Sequence, residues 1–97
     1  MKFEWDENKN EQNIKKHGFD FADAQVMFDL PMLIGTDRRA DYGETRLVGI
    51  GFLQERIVVI VFNQPDDDTI RVISLRKALK HERERFEQFL KDELGSS

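Results

Sequence analysis

The sequence predicts an α+β domain in the order β-α-α-β-β-β-β-α, with helices packed on a largely antiparallel sheet. Three observations predict it. Between Met32 and Leu75 lie four runs rich in β-branched residues, joined by short turns or a charged loop. Ahead of them stands a polar stretch, Glu7–His17, bounded by Asp6 and Gly18. At the end, Phe86, Phe89, Leu90 and Leu94 recur at helical spacing in a segment without Gly or Pro. Residues 1–94 read as one domain, and Gly95-Ser96-Ser97 as a disordered tail.

Each element has a local reason. Lys2–Trp5 alternates, with Phe3 and Trp5 on one face of a short strand. Asp6 caps a helix over Glu7–His17, and Gly18 ends it. Ile14 is the only strong apolar residue of that helix, so Trp5 and Phe19 are expected to anchor it. Asp20 caps a second helix, roughly Phe21–Phe28, with Phe21, Ala24, Gln25 and Phe28 on one stripe. Pro31 follows its end. Met32–Thr36 is a short strand, and Asp37–Gly43 a charged loop. Thr45–Phe52 is a strand in which Gly49 and Gly51 allow a bulge or a close approach. Ile57–Phe62 is apolar on both faces and belongs at the centre of the sheet. Asn63–Asp68 is a turn, and Ile70–Leu75 returns antiparallel, which completes a four-strand meander. The last helix runs from Lys80 to about Glu93.

Composition excludes several classes. There is no cysteine, which rules out disulfides and thiolate metal sites. With only His17 and His81 and no helical metal-ligand spacing, neither a metal nor another cofactor is expected. Met1–Asp6 is too polar for a signal peptide and no apolar run reaches membrane-spanning length, so a cytoplasmic protein is expected. The net charge of −4 argues against a general nucleic-acid binder, whose affinity rests on neutralising many phosphates.

Charge is unevenly placed. Residues 70–86 carry Arg71, Arg76, Lys77, Lys80, Arg83 and Arg85 against Glu82 and Glu84, whereas the chain before them is acidic. A basic corner on an acidic chain points to a phosphate-bearing or acidic partner. The same charges would also serve a solvated helix laced with pairs such as Lys80–Glu84, Glu82–Arg85 and Glu87–Lys91.

Two separated motifs carry a resemblance. The opening Phe3-Glu4-Trp5-Asp6-Glu7-Asn8-Lys9, with Asn13 through Phe21 (Asn-Ile-Lys-Lys-His-Gly-Phe-Asp-Phe), resembles the BrnT family. So does the closing Arg71-Val72-Ile73-Ser74-Leu75-Arg76-Lys77-Ala78, followed by Glu82-Arg83. BrnT proteins are toxins of bacterial type II toxin–antitoxin pairs. The resemblance implies a fold like the RelE ribonuclease toxins and RNA cleavage that blocks translation, on or off the ribosome. It also implies a BrnA-like ribbon-helix-helix antitoxin, with DNA reached only through that partner and no membrane involved. Leu79 departs from the family pattern where a small capping residue such as Thr is expected, and Leu75 where Ala is common. A catalytically silent antitoxin-binding co-repressor is the alternative reading of the same chain.

Metal-independent RNA cleavage needs a base for the 2′-hydroxyl, an acid for the leaving 5′-oxygen, and cations for the phosphate. Arg71 and Arg76 are the first candidates for the phosphate, because a guanidinium meets two of its oxygens at once. They are five residues apart, so a regular strand turns them to opposite sides. They share a site only if the strand bends near Ser74; otherwise Arg71 shares its face with Lys77. Arg83 and Lys80 extend either arrangement along the RNA. Any one of these arginines would equally serve as an ion-pair partner of Glu44, Glu55 or Glu82. Lys9 and Lys16 share a face of the first helix, with Asn13 between them. His17 is a candidate acid or base because it titrates near neutrality; a histidine beside a helix-ending glycine more often satisfies terminal carbonyls. Glu82 is the other candidate base, or an intrahelical partner of Arg85.

Overall fold

A computed structural model describes residues 1–37 and 45–95. The elements are β1 (Lys2–Glu4), α1 (Glu7–His17), a 3₁₀ helix (Phe21–Asp29), β2 (Met32–Asp37), β3 (Arg46–Leu53), β4 (Arg56–Asp66), β5 (Thr69–Lys77) and α2 (Lys80–Leu94). Asp37 ends β2, while the rest of the expected charged loop, with Tyr42-Gly43 and Glu44, lies outside the described residues. So do Ser96 and Ser97 of the expected tail; Gly95 caps α2.

The strands form one sheet in the order β1-β5-β4-β3-β2. The meander from β2 to β5 is antiparallel, as its short connections dictate. The sheet as a whole is mixed rather than largely antiparallel, because β1 pairs parallel to β5 through Lys2↔Thr69, Phe3↔Ile70 and Glu4↔Arg71. The cause is topological. After β1 the chain crosses through α1 and the 3₁₀ helix to the far edge. Four antiparallel strands then walk back, and the last arrives beside β1 running in its direction.

Both faces of the sheet are covered. Val58, Ile60 and Phe62 of β4 meet Phe19, Phe21, Ala24 and Met27 on one face. Val59 of β4 and Ile50 of β3 meet Phe86 of α2 on the other. This two-sided burial is what the continuous apolar run in β4 requires. Gly49 serves a close approach rather than a bulge: a Cβ there would meet Met32 Sδ at 2.5 Å, while its pairing with Ile34 and Ile60 stays regular. The β3–β4 turn places Gln54 and Glu55 at φ 52° and 64°, the twist that a two-residue hairpin favours.

The second helix is 3₁₀, not α. Its buried residues are Phe21, Ala24 and Met27, a spacing of three that matches three residues per turn. Gln25, assigned to the stripe by an α-helical period, is exposed, and Met27 takes the buried place. Strands β4 and β5 also run further than their apolar runs, β4 through Pro65 to Asp66 and β5 to Lys77. Leu94, expected in the α2 stripe, is 76% exposed. Among the described residues no helix is long and apolar enough to cross a membrane.

Candidate functional site

Helix α1 starts where Asp6 accepts from the Asn8 and Lys9 amides, and ends at Gly18, whose amide donates to Ile14 O at φ 79°. Within the helix no apolar side chain is buried; the apolar hold comes from its flanks, Phe19 in the core and Trp5 packed against it. Ile14 is 40% exposed and Trp5 only half-buried, its indole donating to Glu7; Phe19 alone of the expected anchors is fully buried. The buried residues of the helix are Asn10 and Asn13. Asn10 donates to Asp20 and accepts from the Phe21 amide at 2.8 Å. Asn13 donates to Phe19 O at 3.0 Å and accepts from the Leu75 amide at 3.1 Å. Because β1 pairs only with Thr69–Arg71, the outer edge of β5 beyond Arg71 is open to α1, and Asn13 closes it.

A groove of about 230 Å³ lies along that seam. One face of α1 supplies Lys9, Gln12, Asn13 and Lys16, with His17 at its end; β5 supplies Ile73 and Ser74. Lys9 and Lys16 thus share a face, as their spacing of seven predicts. Among the described residues the imidazole of His17 makes no hydrogen bond. Partial burial holds its pKa below the ordinary 6.5, with smaller contributions from the charges of Lys16 and Arg76. The neutral imidazole therefore predominates at pH 7. The terminal cap is supplied by Gly18 instead.

Strand β5 does bend near Ser74. Val61 pairs with Ser74 but Phe62 pairs with Val72, which leaves Ile73 as a bulge. The bulge restores parity between the two arginines. Arg71 pairs opposite Asn63 and Arg76 opposite Val59, positions on one face of β4, the α2 side. Four residues of β4 still separate those partners, about 13 Å along the strand. The arginines share a face, and each lies beside a different carboxylate. Arg71 lies 3.7 Å from Glu4, both side chains about half exposed.

Arg76 meets Glu82 with both fork nitrogens, Nη1–Oε1 and Nη2–Oε2 each at 2.8 Å. Glu82 also accepts from the Leu79 amide at 2.8 Å, so it supplies the α2 cap that the Leu79 side chain does not. The arginine beside it pulls the Glu82 carboxyl down to about 2 against the cost of burial. Its partner is thus Arg76 across the corner, not Arg85 along the helix. Arg76 and Glu82 also border a groove of about 320 Å³ on the α2 face, floored by Val48, Ile50, Val59 and Val61. Lys77 and Lys80 are exposed at the β5–α2 join, and half-buried Arg83 reaches Ala78 O at 3.4 Å.

The structure therefore divides the sequence candidates. It brings together Lys9, Lys16 and His17 along one groove, while Arg76 borders the groove on the α2 face and reaches His17 only through its charge. It leaves Arg71 with Glu4, and Lys77, Lys80 and Arg83 around the corner. Sequence reasoning passed over Ser74 and Gln12 as groove walls and Asn13 as a tie. The signal for the tie was present: asparagines three apart on a helix that lacks an apolar stripe.

A family model described as the ribonuclease toxin BrnT of type II toxin–antitoxin systems matches residues 5–82. No curated protein matches the chain. The 1.1 Å crystal structure of the Brucella abortus ribonuclease toxin BrnT is similar at 34% identity and a TM-score of 0.62, covering 82% of this chain and 99% of that one.

Proposed function

The chain belongs to the BrnT family of ribonuclease toxins of type II toxin–antitoxin systems, and from that premise we propose that it cleaves RNA in the groove between α1 and β5. Membership implies an RNA substrate and an antitoxin partner, and gives the silent co-repressor reading no support. The observation that carries the site is the placement of His17, without a hydrogen-bond partner among the described residues, at the end of a groove lined by Lys9 and Lys16.

The chemistry follows from that placement. Neutral His17 accepts the proton of the 2′-hydroxyl as its oxygen attacks the adjacent phosphorus. The phosphorus–5′-oxygen bond breaks, the leaving oxygen takes up a proton, and the products are a 2′,3′-cyclic phosphate and a free 5′-hydroxyl. Lys9 and Lys16 stabilise the charge that builds on the phosphate, and Arg76 adds its positive charge from the adjoining β5–α2 corner. Glu82 orients Arg76 rather than acting as base, since both its oxygens are engaged and its carboxyl stays ionised. Lys77, Lys80, Arg83 and Arg71 extend a cationic path for flanking phosphates, each contributing a salt-sensitive increment. This division of labour supports a metal-independent reaction, because a base and fixed cations are both supplied by side chains. The remaining parts of the reading are a RelE-like fold assignment, a BrnA-like ribbon-helix-helix antitoxin as the route to DNA, translation on the ribosome as the target, and a cytoplasmic location.

The test is cleavage of a defined mRNA by purified protein, with and without ribosomes and with and without chelator. The expected rate is unchanged by chelator. It rises with pH through the His17 pKa, below 6.5, and levels above it, as a base that must be neutral requires. A rate that collapses with chelator, or that falls as pH rises through that range, contradicts the reading.

A further inference from the structure

We propose that Asn13 is a positioning residue for the reaction: it ties α1 to the free edge of β5 and so sets His17 against Arg76. The inference rests on the groove being the cleavage site. Asn13 is 7% exposed, and both ends of its amide are used. Nδ2 donates to Phe19 O, which lies just beyond the α1 terminus. Oδ1 accepts from the Leu75 amide, 62 residues away in sequence and flanked by Ser74 and Arg76. One side chain therefore joins the helix end that carries His17 to the strand segment that carries Arg76.

The geometry makes this tie consequential. Asn13 sits one helical turn before His17. Its strand partner, Leu75, lies two residues after the bulge at Ile73, where regular pairing with β4 is interrupted. No apolar side chain on α1 is buried against β5 to perform the same task, Ile14 being 40% exposed. Hydrogen bonds are directional where apolar contacts are not. Loss of Asn13 leaves α1 anchored through Asn10, Asp20 and Phe21 and by buried Phe19, so the helix persists while its direct tie to β5 is lost and the His17–Arg76 distance is no longer fixed.

The charges that act on His17 are those of Lys16 and Arg76, the latter held by Glu82, with Lys9 two turns further along the same groove. Their arrangement gives a readout independent of activity. The His17 imidazole is titrated by NMR in the parent, Arg76→Gln, Asn13→Ala and the double variant, with amide exchange measured at Leu75. In the parent background, Arg76→Gln raises the His17 pKa by removing a nearby positive charge. In Asn13→Ala, the Leu75 amide exchanges faster and Arg76→Gln no longer moves His17. If Arg76→Gln shifts His17 equally in both backgrounds, Asn13 does not set the distance and the proposal is overturned. Should Asn13→Ala fail to fold, Asn13→Asp decides, because it keeps the acceptor for Leu75 and loses the donor to Phe19 O. It is expected to retain both Leu75 protection and the effect of Arg76→Gln; loss of both overturns the proposal. Cleavage rates distinguish the two layers of the argument. If the coupling disappears in Asn13→Ala but cleavage is undiminished, the tie stands and the groove is not the cleavage site.

Discussion

Helix α1 buries two asparagines and helix α2 buries one phenylalanine. Both helices are mostly polar, and they lie against different parts of the sheet. Phe86 of α2 enters an apolar cluster with Ile50, Val59 and Ala78, its ring edge-on to Phe52 at 5.1 Å. Such packing stabilises in proportion to the area buried and tolerates small shifts. The asparagines of α1 add little net stability, but their bonds fix direction and distance. The difference teaches where each kind of anchor belongs. The helix that must hold its end against a strand uses hydrogen bonds; the helix that closes the other face of the core uses a large ring.

That comparison can be broken or sharpened by substitution. The largest effect on stability is expected at Phe86. Phe86→Ala empties a fully buried site and should cost about 3–5 kcal/mol, a large share of a small domain's stability. Thermal or urea unfolding measures it, and a melting temperature within a degree or two of the parent would show that α2 is held otherwise.

Glu82→Gln comes next. Losing charge-assisted bonds to Arg76 should cost about 1.5–3 kcal/mol at pH 7. The sign of its pH dependence follows from a carboxyl whose folded-state pKa is depressed from 4.5 to about 2. Its contribution is fully present above about 4.5 and is lost as pH falls towards 2. Parent and variant should therefore converge in stability over that window. A gap that stays constant down to pH 2 would mean that the pair contributes nothing through ionisation.

The smallest effect is expected at Ile14. Ile14→Ala should change stability by no more than about 0.5 kcal/mol, because the side chain is already 40% exposed. A loss of several times that size would restore apolar anchoring to α1 and remove the contrast between the helices.

Much of this was legible in the chain and some was not, for physical reasons. The meander could be read because each of its strands carries a period-two or two-sided apolar pattern. The α2 stripe could be read through Phe86, Phe89 and Leu90. The direction of β1 could not, because three residues carry no sign of which way their neighbour runs. The 3₁₀ helix was hidden because the apolar residues fit both periods: Phe21, Ala24 and Phe28 make an α-helical stripe and Phe21, Ala24 and Met27 a 3₁₀ one. The hold on α1 was hidden because a buried asparagine leaves no hydrophobic periodicity. At the site, the shared face of Lys9 and Lys16 followed from helical spacing. The bidentate pairing of Arg76 with Glu82 did not, since it crosses the join between a strand and a helix. The bulge at Ile73 answers the open question about Arg71 and Arg76: it turns them to one face, where each lies beside a different carboxylate, Glu4 and Glu82.

The chain contains two histidines, one on each helix, and they test the central claim directly. His17 ends α1 in the groove, while His81 is exposed in the first turn of α2. The measurement is the single-turnover cleavage rate of one defined RNA by parent, His17→Ala and His81→Ala, each first shown to be folded by circular dichroism. The expected result is a loss of about 10²–10⁴ for His17→Ala, the range typical of removing a general base, with His81→Ala at the parent rate. Parent-like cleavage by folded His17→Ala would contradict the account and move the active site away from α1.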